Sequence, residues 1–263
     1  MMPSMQPGNR NRSPFLKLIN EYNRKVPPGQ ASTWTGDKEK GISGKYRCDQ
    51  VKIHVYPPRN RMKSSLTINF SSLFQAINAQ AGVTVREWLL CPGMEFNATV
   101  KWWGDRAGRL VPHEGLDLAF FKTTQGRVIH LDEKFRVPVI FDGNLVACFD
   151  DYLGKTMIFI HPSCREDKLV LCSIFGHVHP LIDWTGQARV MQGEPVAGIA
   201  TVSTSDICSH LHLSMGWILE TNIKQLVDWE AITTPGQIRL IDPANLVGVT
   251  TMVNHGFLFP AHE

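Results

Sequence analysis

Residues 209–213, Ser209-His210-Leu211-His212-Leu213, alternate polar and apolar side chains one for one. On an extended backbone successive side chains point to opposite faces, so both imidazoles share one face while Leu211 and Leu213 enter the core. The stretch predicts a strand that carries two nitrogen donors side by side on a stiff element, a placement that suits zinc. With ten histidines in 263 residues, chance supplies roughly 0.4 such triplets from composition alone. His177-Val178-His179 is a second one, so the triplet by itself does not name a metal site.

Upstream of this stretch the chain repeats the same kind of element. Leu116-Asp-Leu-Ala-Phe-Phe, Arg127-Val-Ile-His-Leu, Asn144-Leu-Val-Ala-Cys-Phe, Thr156-Met-Ile-Phe-Ile, Leu169-Val-Leu-Cys-Ser-Ile-Phe and Pro195-Val-Ala-Gly-Ile-Ala are brief β-like runs separated by Gly, Asp and Asn. Many short strands at close spacing predict a mostly β fold with an antiparallel, sandwich-like core. Four units are expected: a flexible arm over 1–45, a small α+β lobe over 46–90, the β core over 91–220 and a C-terminal extension over 221–263. Within them, Val51 to Tyr56 reads as a half-buried strand. Phe15 to Arg24 reads as a short helix, and so does Ser71 to Gln80, capped by Ser71 or Ser72 and stopped near Gly82. Leu219 to Trp229 reads as one further helix, and Gln237 to Val247 closes the fold.

Composition narrows the function classes. Hydrophobic residues make up 43% and charged residues 19%, a profile that buries a core rather than one that stays disordered. The net charge of +3 comes from scattered Lys and Arg with no recognisable nucleic-acid module, so no nucleic-acid partner is expected. No run has the length of a membrane-spanning helix. Met1 to Arg12 lacks the apolar segment of a secretory signal, so no export address is visible. Cys48, Cys91, Cys148, Cys164, Cys172 and Cys208 contain no C-x-x-C pair, and free thiols are the plainer reading.

His113-Glu114-Gly115-Leu116-Asp117 is the second chemical clue. Its four-residue spacing would suit a helix, but Pro112 before it and Gly115 inside it argue against one. On an extended backbone 113, 115 and 117 share a face, and Leu116, Leu118 and Phe120 share the other. Gly115 leaves room between the two donors. Two imidazoles and a carboxylate are a typical catalytic zinc set that keeps a fourth position for water. A closed structural site would recruit thiolates, which no cysteine pair is spaced to supply.

The order His113-x-Gly-x-Asp117, Phe175-Gly-His177, His210-Leu-His212 resembles the lysostaphin-type, or LytM-like, zinc metallopeptidases, which cut cross-links in bacterial peptidoglycan. Pro138-Val139 followed by Asp142-Gly143-Asn144-Leu145-Val146, the Ile158-Phe-Ile-His161 run, and Gln192-Gly193-Glu194-Pro195-Val196 before Gly198 are similar too. The likeness spans about residues 91–220. It implies an antiparallel β core with its site in a groove, Zn2+ held by His113, Asp117 and His212, and His177 and His210 as a catalytic pair acting with a metal-activated water. It also implies peptidoglycan peptides as substrate and action in the periplasm or outside the cell. The chain departs from the pattern at Phe175, where the family often has Tyr, and at Leu213-Ser214, where an aromatic and an acidic residue commonly follow the triplet. The reading from another class is a non-catalytic metal-binding or cell-wall-binding module on the same fold.

The remaining candidates read as structural. His161 is expected to be hydrogen-bonded in the core or behind the ligands, and His54, His130, His255 and His262 have no partner pattern. Glu114, on an extended segment, points away from the donor face. Trp102 and Trp103 are expected to pack or to line the groove wall.

Overall fold

The computed structural model describes residues 69–183, 188–202 and 207–259. The expected arm, the Phe15 to Arg24 helix and the Val51 to Tyr56 strand lie outside the described residues. The first element is helix α1 (Phe70–Ile77). Strands follow at β1 (Val85–Leu90), β2 (Leu116–Leu118), β3 (Phe120–Thr123), β4 (Val128–His130), β5 (Arg136–Pro138), β6 (Gly143–Asp150) and β7 (Lys155–Glu166). After them come β8 (Leu169–Pro180), β9 (Arg189–Val190), β10 (Pro195–Ile199) and β11 (Leu211–Leu219). The chain then forms helix α2 (Trp229–Thr233), β12 (Ile238–Ile241), α3 (Ala244–Val247), β13 (Thr250–Met252) and α4 (His255–Leu258).

The expected mostly β, antiparallel architecture is the one the chain adopts. A large sheet runs β12-β11-β8-β7-β6-β9, with β10 joining β5 to β8 and β2 pairing with β11. A smaller sheet runs β13-β1-β3-β4, and its β1–β13 pair is the parallel exception. The Leu116 to Phe121 run divides at Ala119: Leu116–Leu118 pairs with β11, while Phe120 begins the strand that pairs with β1 and β4. One continuous backbone thus stitches the two sheets together, and Asp117 sits just before the crossing.

Alternation along the long hairpin β7–β8 sorts side chains into two cores. Met157, Phe159, Leu171 and Phe175 join the main cluster with Trp88, Phe121 and Leu213. Ile158, Val170, Cys172 and Ile174 face the other way, onto Leu226 and Ile232. Phe70 and Phe74 of α1 belong to the main cluster, Phe74 meeting Trp88 edge-on at 5.4 Å and Phe121 at 6.0 Å between ring centroids. Such pairs add to what area burial alone contributes.

Two local expectations are corrected. The side-chain cap of α1 is Asn69, whose oxygen accepts from the Ser72 N–H. The Ser71 hydroxyl donates instead to the Val247 carbonyl and accepts from the Trp88 indole. Leu219 to Trp229 is not one helix. Pairing on both sides, with β8 and β12, keeps the chain extended through Leu219. A 3-10 segment, Glu220–Gln225, follows, and α2 starts afresh where the Asp228 carboxylate accepts from the Ala231 N–H.

Gly115 is dictated by the approach of β2 to β11 more than by space between donors. A Cβ there would lie 2.3 Å from the Leu213 carbonyl oxygen and 2.6 Å from Ser214 Oγ. Gly115→Ala is expected to cost about 1–3 kcal/mol, since the obstructing atom is backbone, and to lower the thermal midpoint by roughly 2–4 °C per kcal/mol. An unchanged midpoint would show that β2 can move away from β11.

Candidate metal centre

Strand β11 holds His212 between two neighbours. Its Cα partner on one side is Asp117 of β2, and on the other side Gly176 of β8. His113, on the irregular segment before β2, is fixed by its own N–H, which donates to the Ala98 carbonyl. These backbone constraints bring together residues 95 and 99 positions apart in sequence. His212 Nδ1 lies 2.9 Å from Asp117 Oδ1, and His113 Nε2 lies 3.1 Å from Asp117 Oδ1 and 3.2 Å from His212 Nδ1. All three residues are buried, and they form a group able to hold a metal ion.

The outer edges of the rings define which atoms face inward. A carbonyl can only accept, so His113 Nδ1–H donates to Glu95 O at 2.9 Å and leaves Nε2 as a lone pair. His212 Nε2 lies 2.8 Å from Ser214 Oγ; with that hydroxyl accepting, Nδ1 is the free nitrogen. The facing atoms are then two lone pairs and a carboxylate oxygen. Three acceptors within 4.8 Å of one another require a cation or protons between them, and the donor set of two imidazoles and one carboxylate fits zinc.

Asp117 stays ionised. Burial alone would raise its pKa, but the imidazoles of His113, His210 and His212 around it outweigh burial and hold it well below the usual carboxylate range. Its second oxygen accepts from the Trp102 indole N–H at 2.6 Å, and the Arg109 guanidinium stands 3.8 Å away. Arg109 itself lies over the Trp103 ring at 4.8 Å. Burial pushes the Cys91 thiol, close enough to feel Asp117, up to about 12.

His210 and His177 stand beside this group. His210 Nδ1–H donates to the Cys208 carbonyl at 2.8 Å, which turns Nε2 inward to 3.7 Å from Asp117 Oδ1. Complete burial pushes His210 down to about 3, so it is neutral at ordinary pH. The His177 ring lies 4.8 Å from that of His210 and 5.9 Å from that of His212. Its Nδ1 meets Asp151 Oδ1 at 3.2 Å, and its edge meets the Tyr152 ring. A cavity of about 370 Å³ is lined by Tyr152 and Trp103 among others, and another of about 340 Å³ by His113, Glu114 and Ile232 among others.

The five residues singled out in the sequence therefore converge. Trp102 is fully inside and serves as a hydrogen-bond donor to Asp117, whereas Trp103 is half-buried and lines a cavity. Ser214, a departure from the family pattern, is the partner of His212 Nε2. Asp151 escaped notice, because nothing in a turn sequence 26 residues upstream signals contact with His177. His161 belongs to the core, its Nε2 at 2.9 Å from Ser173 Oγ. His130 donates to or is held by nothing in the site itself; its Nε2–H reaches the Ser209 carbonyl.

No protein-family model matches the chain, and no curated protein matches it. Among solved structures it is similar to the antimicrobial peptidase lysostaphin from Staphylococcus simulans, at 16% identity and a TM-score of 0.34 over 59% of this chain. The chain spans about half, 54%, of that structure's length. A likeness of this size indicates at most a distant relationship of fold, and the site is read from its own atoms. Among the described residues no helix is long and apolar enough to cross a membrane.

Burial also sets a pH dependence of stability. His161 is pushed down from 6.5 to about 4 by burial. The unfolded chain therefore takes up this proton first as pH falls, and stability declines from about pH 6.5 to about pH 4, where the folded state binds it too. Relative to His161→Gln, the wild type is expected to lose on the order of 3 kcal/mol across that window, measurable by urea unfolding at several pH values. Parallel pH profiles for the two proteins would refute it.

Proposed function

We propose that this protein is a zinc-dependent metalloendopeptidase that hydrolyses peptide cross-links of bacterial peptidoglycan. The observation that carries this reading is the convergence of three buried acceptor atoms, from His113, Asp117 and His212, with the imidazoles of His177 and His210 standing beside them. The ordered motifs that resemble lysostaphin-type peptidases support the substrate class, and such a substrate places the protein's action outside the cytoplasmic membrane.

In this reading His113 Nε2, Asp117 Oδ1 and His212 Nδ1 hold the metal. When bound, zinc supplies a Lewis acid that lowers the pKa of water and polarises a peptide carbonyl. The protein's own residues then manage protons. His177 and His210 present Nε2 lone pairs, so they orient the attacking water and one of them takes its proton as the new C–O bond forms. The same imidazole returns that proton to the amine nitrogen as the C–N bond breaks, and no covalent enzyme intermediate is needed. Two supports back the ligands: the Glu95 carbonyl sets the His113 ring, and the Trp102 indole holds the carboxylate of Asp117.

The division of roles predicts two different losses. His212→Ala is expected to lose both zinc and activity, while His210→Ala keeps about one zinc per chain and loses roughly 10²–10⁴ in turnover. Metal content by mass spectrometry, paired with peptide release from purified peptidoglycan before and after chelation, checks both. Full zinc affinity in His212→Ala would overturn the ligand assignment. A zinc-loaded wild type that releases no peptide would leave a binding module in place of the peptidase. Trp102→Phe, which removes one donor to Asp117, is expected to weaken zinc binding about 10–100-fold in a competitive chelator titration; unaltered affinity would leave Trp102 with a packing role alone.

A further inference from the structure

We infer that Asp151 is a positioning residue that acts through His177: it fixes the ring with Nδ1 protonated and Nε2 free toward the metal group, and so makes His177, rather than His210, the proton acceptor of the pair. This rests on the peptidase reading of the site and assigns a division of labour within it.

The backbone supplies the first argument. Where β7 meets β8, Lys155 pairs with Val178 and Met157 with Phe175, so the single Thr156 faces two residues, Gly176 and His177. The extra residue is a β-bulge, a device that re-aims a side chain. His177 sits there at φ 61°, a left-handed conformation that a side-chain-bearing residue adopts only when its surroundings hold it. What holds it is Asp151. Asp151 Oδ2 accepts the His177 backbone N–H at 2.9 Å, and Oδ1 faces His177 Nδ1 at 3.2 Å.

The carboxylate is itself locked. It also accepts from the Leu153 and Gly154 N–H groups at 2.9 and 2.7 Å and from the Thr156 hydroxyl at 2.8 Å. Its side chain is 1% exposed. Thr156 Oγ1 accepts in turn from the Trp229 indole at 3.0 Å, and the Trp229 ring stands against His212 at 5.0 Å. The support of His177 is therefore continuous with the wall of the metal group.

Comparison among the four imidazoles gives the division of labour. On the side away from the metal group His113 and His210 meet neutral carbonyls, His212 a hydroxyl, and His177 a carboxylate. A carboxylate behind the ring stabilises the imidazolium formed when Nε2 takes a proton, whereas a carbonyl only orients. The O–H bond of water breaks, its proton goes to His177 Nε2, and the departing amine nitrogen receives it afterwards. His210, held by the Cys208 carbonyl, keeps the water in line.

The test uses the full chain loaded with zinc. Imidazole ¹⁵N resonances are expected to show His177 protonated at Nδ1 in the wild type. In Asp151→Asn, which offers one acceptor oxygen to five donors, they are expected to show a shift toward the Nε2–H form. The same variant is expected to keep its zinc and to lose about 10²–10⁴ in kcat on a peptidoglycan-derived peptide, with KM within about twofold. A wild-type His177 protonated at Nε2 would overturn the inference without need of any variant, which covers the case that Asp151→Asn does not fold. So would a folded, zinc-loaded Asp151→Asn with undiminished kcat, or one whose kcat falls while the His177 tautomer is unchanged. A wild type that has the Nδ1–H tautomer and no turnover would sink the peptidase reading and the catalytic half of this inference with it, and uphold the positioning half.

Discussion

A carboxylate almost without access to water governs the centre of this molecule. Asp117 is buried together with three imidazoles and an indole, and an ionised group there would be costly if it were left without partners. Every neighbouring choice follows from that. Trp102 gives one oxygen a donor, His113 and His212 approach the other, and β2 must lie close enough to β11 for Asp117 and His212 to sit in register. The last requirement makes position 115 a glycine, because the Leu213 carbonyl occupies the place of a Cβ.

The same backbone also joins the two sheets. Immediately after Asp117 and Leu118 the chain leaves the large sheet at Ala119 and enters the small one as β3, so the main core is built around the segment that carries the site. Rigid strands are good carriers for such a group, since their side chains are locked by packing on both faces. Phe175 beneath Gly176, and Leu211 and Leu213 on either side of His212, are all fully buried. Where the ladder does yield, at the bulge holding His177, a carboxylate with five hydrogen bonds restores the order.

Much of the fold was legible. Short apolar runs such as Thr156 to Ile160 and Leu169 to Phe175, bounded by Gly, Asp and Asn, read as strands because a strand buried on both faces leaves a brief continuous apolar stretch. The segment after Leu219 suits one continuous helix by residue type, but it is divided: Glu220–Gln225 winds as a 3-10 segment, and Trp229–Thr233 starts afresh where Asp228 caps it. The helix cap at Asn69 was missed because Ser71 and Ser72 are equally plausible caps until Trp88 and Val247 claim the Ser71 hydroxyl. Trp102, read as packing or groove wall, showed no sign of its bond to Asp117, since an indole donor looks the same in either role.

The sequence by itself determined the residue types at the site, their strand-borne spacing and the mostly β class, because donor chemistry and side-chain alternation are properties of neighbours along the chain. Only the tertiary structure decided which nitrogen of each ring faces inward, that Asp151 stands behind His177 and that Ser214 stands behind His212. Those choices depend on contacts with carbonyls, hydroxyls and carboxylates supplied by other strands and turns. Such contacts are set by sheet register and by one bulge, and neither is written in any local stretch.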